Sequence, residues 1–242
     1  MKYELETIPI WDAYKLDTEC PLCHLKDKAE KTYHDFFLGN SVMVPEMRIK
    51  VNAAGFCPEH FTNLLVSRDN RHGLGLITHT HFSEQRKTFN KKIRQILQNP
   101  GNPKKQGDIP KDFSKYLREL TTKCMICERT EYTLKRYAYT IAYLWKKDPE
   151  FKVCFEASKG FCFPHLADML DMAKEALSGK LAAEFSIKAV ELCSQSFERL
   201  DKEVFWYTQK FDYQNNDKPW GTSKDALHRA IQKLTGIAQK DQ

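Results

Sequence analysis

Apolar positions along this chain recur mostly at intervals of three or four residues, the spacing that places side chains on one face of an α-helix. One such face follows Cys23, a longer one covers about residues 72–98, and the longest runs from Leu181 to Tyr207. Period-two alternation, which is typical of strands, is confined to residues 3–10. The pattern predicts a mainly α-helical protein.

The stretches between these faces predict how the helices are connected. Residues 43–51 and 149–159 read as short extended connectors, and residues 3–10 as an extended arm. Residues 99–110 are rich in Gly, Pro and Asn and read as a linker. We therefore expect three regions: residues 1–100, residues 101–213, and a tail of residues 214–242 that contains a short helix.

A six-residue motif occurs twice, as Gly-Phe-Cys-Pro-Glu-His at 55–60 and as Gly-Phe-Cys-Phe-Pro-His at 160–165. Each copy follows a Cys-x-x-Cys pair, and the pairs are themselves 104 residues apart. Because motif and order are both shared, the chain reads as a tandem duplication. The predicted fold is therefore two tandem, related helical halves joined by short extended connectors.

Each half contains three cysteines and one histidine, which is a ligand set of structural zinc sites. A Cys-x-x-Cys turn directs two thiolates at one ion, and Cys-x-x-His in the first turn of a helix does the same. Pro58 and Pro164 support a helix start at these motifs. We expect two Zn²⁺ per chain, each held within one half: Cys20, Cys23, Cys57 and His60 in the first, and Cys124, Cys127, Cys162 and His165 in the second.

Other cysteine chemistries fit the pattern less well, and one stays open. A disulfide framework is expected in secreted proteins, and this N-terminus lacks the apolar segment of a signal peptide. A thioredoxin-like pair needs a βαβ context, which the pattern does not predict. An iron–sulfur cluster with one histidine ligand stays open as an alternative to zinc.

Composition limits the partners and the compartment. Hydrophobic content is 41%, charged content is 29%, and the net charge is +6. No apolar run approaches the roughly 20 residues of a membrane span, so we expect a cytoplasmic protein with no membrane partner. The moderate charge leaves nucleic acid as a possible partner beside protein. The basic residues around the linker are Lys91, Lys92, Arg94, Lys104, Lys105, Lys111 and Lys115.

Two further groups of residues are candidate sites. Cys154 and Cys193 lie outside the predicted zinc sets and read as buried small apolar side chains. His72, His79 and His81 cluster near Glu84, but His81 shares the apolar face of its helix. A histidine in that position is more often a hydrogen-bonded core residue than a catalytic group.

Several segments along the chain form a further pattern. They are residues 8–10, 20–23, 38–39, 45–49, 55–57, His60 and the Lys-Pro-Trp-Gly run at 218–221. Together these segments resemble an uncharacterised bacterial family, a domain-of-unknown-function group, over nearly the whole chain. The resemblance implies paired Cys/His motifs and a cytoplasmic bacterial protein, and it implies no activity.

The function predicted from these observations is a zinc-stabilised binding or scaffold protein. The chain has no phosphate-binding glycine loop, dinucleotide fingerprint or nucleophile elbow, which argues against the common enzyme classes. We assign no catalytic residue and no cofactor-binding residue other than the metal ligands. Two alternatives remain, a nucleic-acid-binding regulator and an iron–sulfur or metal-dependent enzyme.

Overall fold

A computed structural model describes residues 6–98 and 109–237, and this part of the chain is mainly α-helical and contains no strand. The predicted fold class is confirmed in this respect. None of the described helices is long and apolar enough to cross a membrane. The helices are α1 (Thr7–Tyr14), α2 (Pro21–Leu38), α3 (Pro45–Ala54), α4 (Pro58–Val66), α5 (Arg71–Gln98), α6 (Ile109–Glu119), α7 (Met125–Lys147), α8 (Pro149–Ala157), α9 (Phe163–Ala176), α10 (Gly179–Gln209) and α11 (Ala226–Thr235).

The predicted extended segments are wrong. The predicted arm of residues 3–10 overlaps α1 from Thr7 onward, while residues 1–5 lie outside the described part. The two predicted connectors contain α3 and α8. Each of these begins with a proline at its first helical position, where the missing N–H costs nothing. This proline starts a helix whose buried residues are four apart, as Met47 and Val51 are.

Contacts divide the chain into two compact units that do not follow the linear division into 1–100, 101–213 and 214–242. Unit 1 comprises residues 1–29 and 131–242, and unit 2 comprises residues 30–130. Helices α2 and α7 each begin in one unit and end in the other. The predicted boundary near residue 100 lies outside the described residues. The division of the sequence into residues 1–100, 101–213 and 214–242 therefore stays a prediction.

The core of unit 1 is rich in aromatic side chains. Phe151, Phe155, Phe161 and Phe185 have no exposed surface, and Phe155 and Phe185 contact each other with ring centroids 5.2 Å apart. Tyr14, on α1, packs edge-on against Phe151 at 4.9 Å. Each fully buried side chain of this size stabilises the fold by about 1.5–3 kcal/mol relative to an exposed one.

Unit 2 has a smaller core of the same kind. The ring of Phe37 on α2 meets that of Phe56 at 5.1 Å, and Phe56 meets Phe61 on α4 at 5.3 Å. Leu64 and Ile77 are buried against them. The core therefore surrounds the turn between α3 and α4, which carries the first copy of the repeated motif.

A buried network of charges joins α10 and α11 to the turn before α2 in unit 1. The carboxylate of Glu19 is almost fully buried, and both its oxygens accept hydrogen bonds from Arg199, at 2.7 and 2.6 Å. Arg229 on α11 donates to Glu19 at 3.2 Å and to Glu203 at 2.6 Å. The Lys233 ammonium, also buried, lies 3.7 Å from Glu19. The tail of the chain is thus held in unit 1 by several paired charges.

Removing the carboxylate of Glu19 takes away the anion that lies 3.7 Å from the fully buried Lys233 ammonium, and breaking a buried ion pair typically costs about 3–5 kcal/mol. We therefore expect Glu19→Gln to lower the free energy of unfolding by about 3 kcal/mol, measured by urea denaturation at neutral pH. Glu184→Gln is the matched control, because Glu184 pairs with the exposed Lys180 at 3.6 Å and surface pairs contribute about 0–1 kcal/mol. Equal unfolding midpoints for the two variants would contradict the expectation.

Candidate metal centres

Four side chains meet in unit 1 to form the first candidate centre, called site 1. They are Cys20, Cys23, Cys162 and His165, and all four are buried. The Nδ1 atom of His165 lies 3.4 Å from the sulfurs of Cys20 and Cys23 and 3.2 Å from that of Cys162. The sulfurs of Cys23 and Cys162 are 3.6 Å apart.

The second candidate centre, called site 2, has the same composition and lies in unit 2. It consists of Cys57, His60, Cys124 and Cys127. The His60 Nδ1 atom lies 3.1 Å from the sulfur of Cys57 and 3.4 Å from those of Cys124 and Cys127. The sulfurs of Cys57 and Cys127 are 3.9 Å apart.

These distances fit one tetrahedral ion in each centre. For zinc bonds of about 2.3 Å to sulfur and about 2.0 Å to nitrogen, tetrahedral geometry separates two sulfurs by about 3.8 Å and a sulfur from a nitrogen by about 3.5 Å. In each group, all four ligand atoms lie within 4.8 Å of one another. A cluster of several iron atoms has its ligands on different metal atoms and needs a wider separation between them. The donor set and its spacing therefore suit a single ion.

The predicted grouping of the eight residues is wrong, although all eight are brought together. The Cys20/Cys23 pair meets Cys162 and His165 of the second repeat, and the Cys124/Cys127 pair meets Cys57 and His60 of the first. The ligands of each centre are therefore exchanged between the repeats. The exchange follows the path of α2 and α7, each of which begins in one unit and ends in the other.

Helix N-termini place the ligands at both centres. Cys57 and Cys162 are the residues immediately before α4 and α9, and each histidine lies three positions later in the first turn. Cys23 and Cys127 lie in the first turns of α2 and α7. Two helix N-termini therefore converge on each centre, and their partial positive charge favours thiolates.

Glycines allow the chain to enter these helices. Gly55 and Gly160 have φ angles of 67° and 71°, in the region that favours glycine. The carbonyl of Gly55 also accepts a hydrogen bond of 3.1 Å from the backbone N–H of Met125. That bond joins the turn before α4 directly to the start of α7, where the other two ligands of site 2 lie.

The ionisable groups of each centre shift one another's pKa. In site 2, a hydrogen bond with Cys124 raises the pKa of His60 to about 9, against the effect of burial. Burial raises the pKa of Cys124, but its hydrogen bonds, first that with His60, outweigh burial and lower the pKa to about 6. In site 1, burial raises the pKa of Cys20. In site 2, burial likewise raises the pKa of Cys127. Three thiolates in contact would need more positive charge than one imidazolium carries, and a divalent cation would supply it.

The two centres differ in their access to solvent. All ligands of site 1 are buried, whereas Cys127 in site 2 is exposed and Cys57 half-buried. The end of α11 also covers site 1, because the carbonyl of Gly236 lies 3.6 Å from the sulfur of Cys23. A Cβ atom at Gly236 would lie 3.3 Å from the sulfur of Cys162. Sequence patterns did not indicate this contact, since no metal-binding motif includes Gly236.

The remaining cysteines do not join either centre. Cys193 is buried as predicted, and its sulfur accepts a hydrogen bond of 3.2 Å from the backbone N–H of Phe161. Cys154 is only half-buried. Cys193 therefore has a structural role, since it supports the backbone next to the ligand Cys162.

The histidine group of α5 does not form a centre within the described residues. His72 and His79 are exposed. Among the described residues, groups of three or more metal-binding side chains occur at sites 1 and 2. His81 contacts the carbonyl of Asn52 through Nδ1 at 2.9 Å. It also packs against Gly55, where a Cβ atom would lie 2.6 Å from its Nε2 atom. His81 therefore supports the turn at site 2 and is not a ligand.

Comparison with known proteins agrees with the resemblance seen in the sequence. A family described as a family of unknown function, DUF6062, matches residues 1–241. The chain belongs to this family. A curated relative, described as an uncharacterized 23.9 kDa protein in the xynA 3'region of Caldicellulosiruptor sp. (strain Rt8B.4), is 27% identical over 157 residues, which cover 64% of this chain and 67% of the relative. No solved structure matches.

The exchanged grouping is tested by two double variants measured for tightly bound zinc. Cys20→Ser with Cys162→Ser removes two ligands from site 1 and leaves site 2 complete, so we expect one ion per chain. Cys20→Ser with Cys57→Ser removes one ligand from each centre, so we expect less than one. Ligand sets local to each repeat would reverse the two results.

The difference in exposure predicts a difference in the rate of metal loss. We expect zinc at site 2 to be extracted faster by excess EDTA, because Cys127 is open to solvent and site 1 is enclosed. The rates are compared with a zinc-binding dye in two variants, Cys20→Ser/Cys162→Ser, which keeps site 2, and Cys57→Ser/Cys124→Ser, which keeps site 1. Faster release from site 1 would show that exposure does not control the exchange.

Proposed function

We propose that this protein is a zinc-stabilised binding or scaffold protein that holds two structural Zn²⁺ ions. The observation that carries the proposal is the presence of two complete sets of three cysteines and one histidine, each spaced for one ion. Four protein ligands fill a tetrahedral zinc and leave no position for water or substrate. This favours a structural role over the alternative of a metal-dependent enzyme.

The position of the ligands explains what the ions would stabilise. Cys23 and Cys162 are 139 residues apart, and Cys57 and Cys127 are 70 apart. An ion that holds such pairs closes long loops in the chain, and this stabilises the folded state most when the loops are long. Each ion would thereby join elements of the two repeats that lie far apart in the chain.

Zinc is favoured over iron–sulfur chemistry by the narrow separation of the ligand atoms within each centre. A cytoplasmic location is proposed because all eight cysteines are unpaired, and a reducing compartment keeps thiols in that state. A bacterial origin is supported by the organism of the curated relative.

A binding role is supported by apolar side chains on the surface of unit 2. Leu65 and Phe82 are 52% and 68% exposed and line one groove beside α5, together with His79. Val66, next to Leu65, is also exposed. Exposed apolar groups that lie together are typical of surfaces that contact other proteins.

The zinc proposal is tested with Cys57→Ser, which removes one ligand of site 2. Metal binding of this type is coupled to folding, with apparent free energies of roughly 10–16 kcal/mol in small zinc peptides. We expect wild type to hold two zinc ions by elemental analysis and the variant about one. We also expect the variant to unfold about 10 °C lower or more, with less helical circular dichroism.

Cys154→Ser is the control for this variant, because Cys154 lies outside both centres. It should keep two zinc ions and the stability of wild type. Iron in protein purified without oxygen would contradict the zinc assignment. A Cys57→Ser protein that is as stable as wild type but loses a measurable activity would contradict the structural role.

A further inference from the structure

The positive charge of this protein is concentrated in one of its two units. Unit 2, residues 30–130, contains 17 Lys and Arg against 10 Asp and Glu, a formal charge of +7. Unit 1 contains 21 against 22 and has a formal charge of −1. The moderate net charge of the whole chain therefore conceals a strongly basic unit.

Helix α5 contributes most to this excess, and the corresponding helix of the other repeat shows that the fold does not require it. Both α5 and α10 are the long helices that follow the Cys-x-x-His motif of their repeat. The sequence of α5 contains six Lys and Arg and a single acidic residue, Glu84. That of α10 contains four Lys and Arg and five acidic residues. Several of the α10 charges form pairs one turn apart, such as Lys180 with Glu184.

Four of the basic residues of α5 form a continuous strip. At 100° per residue, Arg86, Lys87, Lys91 and Arg94 fall within an arc of about 140° of the helix, and all four are exposed. Lys87 pairs with Glu84 at 2.6 Å. These four residues are called the basic strip below. It spans about 12 Å along the helix axis, at 1.5 Å per residue.

The opposite side of α5 is occupied by another helix of the same unit. Phe89 packs against Phe113 of α6 with ring centroids 5.6 Å apart. Lys92 lies over the ring of Tyr116, also on α6, at 5.5 Å. Because α6 covers the side of α5 that carries Phe89, the basic strip lies on the side that α6 leaves uncovered.

We propose that the basic strip of α5 docks on the phosphate backbone of a nucleic acid. This names a partner for the proposed binding role and depends on that role, but it does not depend on zinc. One strand of duplex DNA places a phosphate about every 3.4 Å along its axis, so a strip of this length reaches three or four phosphates. Contacts of this kind provide affinity without reading the base sequence.

An anionic membrane surface is a less suitable occupant of the same strip. Helices that bind membranes carry large apolar side chains beside their basic residues, and these side chains enter the lipid. Between Arg86 and Arg94, the other position within the arc of the strip is the polar Asn90. Phe89 is in contact with α6, and the exposed Phe82 lies one turn before Arg86, where it lines a groove with Leu65.

The experiment measures binding of the full chain to fluorescent oligonucleotides of 25 nucleotides, as single-stranded DNA, duplex DNA and RNA, between 50 and 200 mM salt. The strip variant is Arg86→Gln/Lys91→Gln/Arg94→Gln. The control, Lys180→Gln/Lys188→Gln/Lys202→Gln, removes the same charge from α10. The logarithm of the association constant falls linearly with the logarithm of the salt concentration, and each phosphate contact contributes about 0.7–0.9 to the steepness of that line. We therefore expect the strip variant, which loses three contacts, to reduce the steepness by about 2–3. The control should keep the wild-type slope.

Three results would overturn the proposal. The first is that wild type binds no oligonucleotide at 50 mM salt. The second is that the strip and control variants lower the salt slope equally. The third is that the strip variant weakens binding to phosphatidylserine vesicles or polyglutamate more than it weakens binding to oligonucleotides. Zinc content is measured on the same samples. If protein that holds no zinc binds oligonucleotides, the structural zinc proposal is rejected and the nucleic-acid proposal is supported. If protein that holds two zinc ions binds no oligonucleotide, the nucleic-acid proposal is rejected and the zinc proposal is supported.

Discussion

Each candidate metal centre joins a Cys-x-x-Cys turn from one repeat to a Cys-x-x-His turn from the other. This exchange constrains the path of the whole chain, because α2 and α7 must each begin beside one centre and continue into the other unit. The aromatic cores are built around the same turns. Phe56 precedes a ligand of site 2 and Phe161 a ligand of site 1, and both are buried. Ligation and core packing therefore depend on the same short segments.

The two units have the same plan but differ in what surrounds it. In unit 1, the end of α11 covers the centre, and the corresponding long helix carries balanced charges. In unit 2, the centre has an exposed ligand and the long helix is basic on its outer side.

Helical periodicity was reliable for the long elements and misleading for three short ones, α1, α3 and α8. The faces of α2, α5 and α10 were visible because many turns repeat the same pattern. Helices α3 and α8 are only 10 and 9 residues long. Over two or three turns, a leading proline and a few apolar residues fit an extended connector as well as a helix. These two segments are helical because the helix buries Met47 and Phe151 against the cores, and burial depends on the tertiary structure.

The eight ligand candidates follow from sequence alone, because two side chains three positions apart in a turn or a first helical turn point at one ion whatever the rest of the chain does. Sequence also determined the helical class and the duplication. Which pairs share an ion was decided only by the tertiary structure. Cys23 and His165 are 142 residues apart, and no local spacing encodes whether a turn meets the motif of its own repeat or that of the other. The packing of α2 and α7 makes that choice, through contacts between residues far apart in the chain.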